Sequence, residues 1–559
     1  MLNVAGLCEA GAGTGVPVND STLYPPTPGI IPDFGINLTH QRLTSNSGRL
    51  ELRWNQSYGG PFRQNGDLTI NQTTNVAGLC EVGEGQPGCQ TQLQKCRCRS
   101  QRVFVYTDVV TETRFPMPRS IFACIAIVLV CSFAIGDEST AVERGKRALE
   151  QKAFIPAFWP KSAYDLAWKR WGVAEKPKNY DAAFRERYGL HDAPYPNDGL
   201  PMGLRAAPYL PFTKGIGIDC LACHGGSIAG KGIVGLGNSS LDVHALFEDM
   251  AAAGNMPVNL PFHFSNVRGT NEAGAFSVYL LGFRDDDLNP TANKRNLGLH
   301  DDSCEDVPAW WLLKKKSTMY HVGATDARSV RSIMQFMMHP LTLPADFAKA
   351  EPAFRDIQQY LLSLEAPKYP YAIDRALANN GRAIVQENCA KCHGTYGEQS
   401  KYPNKIVPLD EIGTDRRRFD NIGTAFGEAY STSWFAKEGD KVMPIKPTVG
   451  YQAPPLDGIW ATAPYFHNGS SPTLKSVLNS KDRPKRFTRS YGTSVADYDK
   501  RNVGWIFQEV STPAKNRSPF EMRKIYDTSL PGRGNGGHKY GDDLSDAERT
   551  ALIEYLKTL

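Results

Sequence analysis

Two stretches of this sequence carry the same five-residue chemistry: Cys220-Leu221-Ala222-Cys223-His224 and Cys389-Ala390-Lys391-Cys392-His393. Both read C-x-x-C-H, the attachment pattern of a c-type haem. Two thiols one helical turn apart can each add to a haem vinyl group, and the histidine beside the second thiol then lies under the iron as its proximal ligand. From the chain's own Cys and His frequencies, chance supplies roughly 0.005 such patterns, so two copies point to two haem c groups. A zinc site would want a second pair of ligands nearby, and a dithiol redox pair has no use for the histidine. Cys304 is left over and reads as a buried thiol.

Helices must position these motifs. Around the second one, Ala376 to Gln386 reads as a helix running into Cys389, and the chain ends in an amphipathic stretch from Leu544 to Leu559. An earlier pair matches it: Val142 to Phe154 as an opening helix, and Pro352 to Leu364 as a closing one that repeats the Ile, Tyr, Leu cluster of Ile553, Tyr555 and Leu556. The expected fold class is mainly α: two tandem cytochrome c-like domains, 137–367 and 368–559, joined near two prolines and swollen by long irregular insertions. These helix pairs resemble the cytochrome c fold, in which the first and last helices cross at a glycine covered by an aromatic ring. Gly381 with Tyr555 takes that role in the second half, and Gly145 takes the glycine's place in the first.

The 559 residues suffice for more than one core. With 41% apolar and 22% charged residues and a net charge of +5, the composition excludes a multi-span membrane protein and gives no reason to expect nucleic acid as a partner. From Met117 the chain shows Arg119, fifteen uncharged and mostly apolar residues, and small residues before Asp137, the pattern of a secretory signal peptide at 117–136. That run is shorter than the roughly 20 residues of a membrane-spanning helix, so a retained anchor is the second reading. Residues 1–116 precede the signal and repeat Asn-Val-Ala-Gly-Leu-Cys-Glu at 3–9 and 75–81. They read as an over-extended gene start or a small β-rich or disordered appendage, with no function assigned. The expected location is periplasmic or secreted.

The two motifs together with Thr462 to Leu474 (TAPYFHNGSSPTL) resemble the bacterial di-haem cytochrome c peroxidase superfamily. The likeness is closer to its branch of di-haem rubber oxygenases, through residues 453–470 and the tail 536–559. Peroxidases of the superfamily use a distal methionine past the PYFH segment, and no Met lies between Tyr465 and Arg517. The rubber oxygenase likeness instead implies two histidines on the second haem, the distal one being His538. It also implies that His467 sits beside that haem against a propionate or its edge. Trp310 or Trp311 would relay electrons between the haems, and the distal side of the first haem would be open to peroxide or dioxygen.

Arg416, Arg417 and Arg418 read either as propionate partners or as a solvated basic turn. His191, His244, His263, His300, His321 and His339 read as ordinary histidines, and Met334, Met337 and Met338 as core. The sequence identifies no sixth ligand for the first haem. It predicts an exported di-haem oxidoreductase fed by a small redox donor protein or a quinone-linked cytochrome. The rivals are a plain electron-transfer cytochrome and a haem subunit of a larger complex.

Overall fold

The computed structural model describes residues 49–55, 65–71, 139–209, 213–511 and 516–559. The chain divides into two units, Met1–Phe115 and Pro116–Leu559. In the first, Arg49–Asn55 pairs antiparallel with Asn65–Asn71, with Leu50 opposite Ile70 and Leu52 opposite Leu68. The predicted signal segment 117–136 and the proposed start of the mature chain at Asp137 lie outside the described residues. Among the described residues, no helix is long and apolar enough to cross a membrane.

The second unit is mainly helical, and two helix crossings organise it. Ala141–Gln151 opens with a capping box, in which Thr140 accepts from the Glu143 amide and Glu143 accepts from the Thr140 amide at 2.7 Å. This helix crosses Pro344–Ser363 at Gly145, where an added Cβ would lie 2.0 Å from the Asp356 carbonyl oxygen. Arg144 clasps the Asp356 carboxylate with two bonds of 2.8 Å. The second crossing repeats the device. Arg375–Asn388 meets Asp546–Leu556 at Gly381, whose Cβ would fall 2.0 Å from the Ala551 carbonyl oxygen and 2.9 Å from Tyr555 Cβ. Only glycine lets the two backbones approach so closely.

The helix ends differ from expectation in ways that have local causes. The first helix stops at Gln151, three residues before the predicted Phe154. The closing helix of the first pair starts at Pro344 instead of Pro352, because Pro344 is pre-set for the first helical turn and Asp346 accepts from the Leu343 amide. Pro352 then lies inside the helix. The final helix is shorter than predicted, since Ser545 and Glu548 close a capping box that fixes its start.

The insertions around the first motif contain short antiparallel sheets. Leu204–Pro208 pairs with Lys214–Ile218, and Trp159–Pro160 adds a third strand. Directly after His224, Gly225–Ile228 pairs with Lys231–Val234. The first Cys pair thus sits in a single helical turn held between two hairpins. Asp219 accepts from the Leu221 amide at 2.9 Å and pairs with Arg205, which also donates to the carbonyls of Leu149 and Glu150 and so ties the motif to the opening helix.

Candidate functional site

Both motifs open on one cavity of about 590 Å³, walled mostly by apolar side chains. Near the first motif the wall includes Phe154, Phe158, Phe247, Phe276 and Phe336. Phe336 on this wall is 44% exposed. The histidines among the described lining residues are His224, His321, His393, His467 and His538.

His393 and His538 face each other with ring centres 6.3 Å apart. Two metal–imidazole bonds of about 2 Å, each extended by about 1 Å from nitrogen to ring centre, add to roughly 6 Å, so one metal ion fits between these rings. His393 Nδ1 donates to the Pro454 carbonyl at 2.7 Å, which orients the ring. His538 is held from the other side. Its backbone lies in the left-handed region at φ 43°, and its amide donates to Ile412 O at 2.7 Å. Arg483 donates to the carbonyls of Asn535, Gly537 and His538 at 2.7, 2.7 and 3.1 Å, fixing the Gly-rich turn. Burial, reinforced by His393, lowers the His538 pKa to about 4, so the ring is the neutral base that metal binding requires.

Trp310 stacks on His224 with ring centres 4.3 Å apart and an 18° interplanar angle. Burial lowers His224 to about 3. Its Nδ1 lies toward the Pro308 carbonyl but short of full hydrogen-bond geometry. Each motif histidine is thus set against the carbonyl of a downstream proline. Trp311 points away from the cavity into the core with Val385, Leu552 and Tyr555, and its indole donates to Asp457 O at 2.8 Å. Of the two candidate relay tryptophans, only Trp310 lines the cavity.

His467 stacks on Tyr451 at 4.1 Å, and its buried Nε2 has no partner. His321, read from the sequence as an ordinary histidine, is a wall of the same cavity. Its Nε2 donates to Asp306 O at 2.8 Å, and its ring lies 6.3 Å from that of His467. The three arginines divide. Arg416 is a solvated residue paired with Asp420, Arg417 pairs with Asp302, and Arg418 is buried at 2.5 Å from Glu305 with its Nη1 unpartnered. No local pattern announces His321 or the Glu305–Arg418 pair, whose members are far apart in sequence. Met334 is a buried core residue and Cys304 a buried free thiol, as expected, whereas Met337 and Met338, also buried, line the cavity.

The residues fit a covalent haem better than a redox dithiol or a zinc ion. Burial pushes Cys220 and Cys223 up to about 12 and Cys389 to about 11, unlike the lowered values of reactive dithiols. Among the described residues, no cluster of three or more His, Cys, Asp or Glu could hold a metal ion. Replacing Cys389 and Cys392 together by alanine is expected to remove one haem from the purified protein and leave the other, read by pyridine haemochrome analysis.

A RoxA-like, cytochrome c-like family model matches residues 450–488. That segment carries the Pro454 carbonyl, Trp460 and His467. Two Sinorhizobium fredii proteins are similar to the chain. The uncharacterized protein y4iJ is 27% identical over 327 residues, 44% of this chain and 52% of the relative. The uncharacterized protein y4iM is 29% identical over 297 residues, 45% of this chain and 64% of the relative. The chain therefore spans between half and two thirds of the length of these relatives. A solved structure of hydrazine synthase from Kuenenia stuttgartiensis, pressurized with xenon, matches at 13% identity over 53% of this chain and 91% of that chain. Its TM-score is 0.20, too low to carry an argument. The matched segment is cytochrome c-like, and the cofactor it calls for is haem c.

Proposed function

We propose that the chain is an exported di-haem c-type oxidoreductase built from two tandem cytochrome c-like domains, 137–367 and 368–559. Cys220, Cys223 and His224 hold one haem; Cys389, Cys392, His393 and His538 hold the other. When bound, haem c supplies an iron that exchanges electrons and, where an axial position is open, takes peroxide or dioxygen.

The observation that carries the reading is an asymmetry within one cavity. His393 has an opposed imidazole at a spacing one metal ion fills, whereas the ring contact of His224 among the described residues is Trp310 on its flank. His393 and His538 would make the second site a storage or entry point for electrons from a small donor protein or a quinone-linked cytochrome. The aromatic wall beside His224 suits a small oxidant. Trp310, packed on His224, and Trp311, packed on the helices behind Cys389, give the connecting segment an aromatic contact with each half.

Titration of the anaerobic, half-reduced holoprotein with peroxide, and of the fully reduced protein with carbon monoxide, tests this. One haem in two is expected to change its Soret band with each ligand. A protein in which neither haem responds is a plain electron-transfer cytochrome, and the reading fails.

A further inference from the structure

The segment 310–324 runs along the cavity from one motif to the other. Trp310 packs on His224, while Val322 and Ala324 pack in one cluster with Cys392. Three consecutive lysines follow the tryptophans. Lys314 pairs with Glu365 at 2.5 Å and Lys315 with Asp457 at 2.7 Å. Lys316 turns the other way and lines the cavity, and among the described residues it has no carboxylate partner. Burial alone lowers its ammonium to about 8. Arg418 lines the same cavity, its Nε spent on Glu305 while Nη1 is buried and unpartnered. The other ionisable groups on the cavity wall along this stretch are Tyr320, Tyr451, His321, His467, Asp306 and Asp457, whose Oδ1 is taken by Lys315. Burial raises Asp306 from its ordinary value, and the cation that acts on it is Arg489.

An ammonium that faces a mostly apolar cavity without a counter-ion is costly, and its ordinary remedy is an anion. The Glu305–Arg418 pair is already neutral, so Lys316 leaves this stretch one positive charge in excess, with two donors facing it. We propose that Lys316 and Arg418 form a carboxylate receptor between the two attachment motifs, and that its occupant is a propionate of a bound haem. This rests on haem being the cofactor. The shared chemistry is a carboxylate, which a free carboxylic acid could also supply, and the experiment separates the two sources.

The holoprotein is compared with its Lys316→Met and Lys316→Arg variants by haem count, spin state and spectroelectrochemical midpoint potentials. In Lys316→Met both haems are expected to stay attached with unchanged spin states, and at least one potential falls, because a cation beside a propionate disfavours the ferric form. Lys316→Arg restores it. Adding acetate leaves the wild-type potentials where they are. Two attached haems with unmoved potentials in Lys316→Met would overturn the receptor. A wild-type potential that shifts with acetate, while that of Lys316→Met does not, would overturn the propionate as occupant. Should Lys316→Met fail to accumulate, the wild-type protein decides. Potentials without a break near pH 8 support a paired Lys316, and a break there that is absent in Lys316→Arg overturns the pairing. A haem count below two sinks the functional reading itself and is distinguishable from all of these.

Discussion

Replacing His538 by alanine is expected to convert the His393 haem from low to high spin, seen in electron paramagnetic resonance as the loss of its low-spin signal. His467→Ala is expected to leave both spin states unchanged. The difference lies in what each ring faces. His538 stands 6.3 Å from His393, centre to centre, on a turn clamped by Arg483 and by the Ile412 carbonyl. His467 is stacked on Tyr451 and neighbours His321 instead. Losing an imidazole ligand also raises the potential of that haem. The opposite pattern of spin states would exchange the roles of the two histidines.

The second large effect is structural. Gly381→Val is expected to destabilise the protein by about 3 kcal/mol, because even its Cβ would overlap the Ala551 carbonyl and no flexible side chain stands there to yield. Separation of the two helices would shift the backbone just before Cys389. Gly427→Ala is the control. It lies inside the helix Thr424–Thr432, with no atom nearer than 4.0 Å to the added Cβ, so it is expected to be neutral or to stabilise by about 0.5–1 kcal/mol through helix propensity. Equal losses for both in chemical denaturation would show that the crossing tolerates a side chain.

What could be read from the sequence was what chemistry writes locally. The Cys-x-x-Cys-His spacing, the glycines of the two crossings and the apolar stripe of the last helix each lie within a few residues of the feature they specify. The start at Pro344 was also written there, as Pro in the first turn and Asp at its third position, but Pro352 offered a competing boundary. His321, Lys316 and Arg418 were not legible as one group. A neutral histidine wall, a lysine turned inward from a basic run and a paired arginine look the same in sequence as their solvated counterparts. Tertiary packing alone decides which of Arg416, Arg417 and Arg418 goes inside. The short sheets flanking the first motif were missed for a related reason: Gly-rich strands of four or five residues carry almost no alternation to detect.

The clamp on His538 has a consequence for how the molecule is made. A chain that emerges N-terminus first presents the thiols of the first motif long before those of the second. The turn that carries His538, and the helix that fixes it, follow both motifs. As the chain emerges, the second motif can acquire its thioether bonds before residue 538 exists to close over it. The newly attached group then waits with one face uncovered until the final helix docks at Gly381. Pulse-labelled intermediates of this protein should therefore pass through a stage that binds external ligands at the second site and loses that ability when the tail arrives. Maturation of the second site, in these terms, is the shutting of a door by the turn at His538 and the helix Asp546–Leu556.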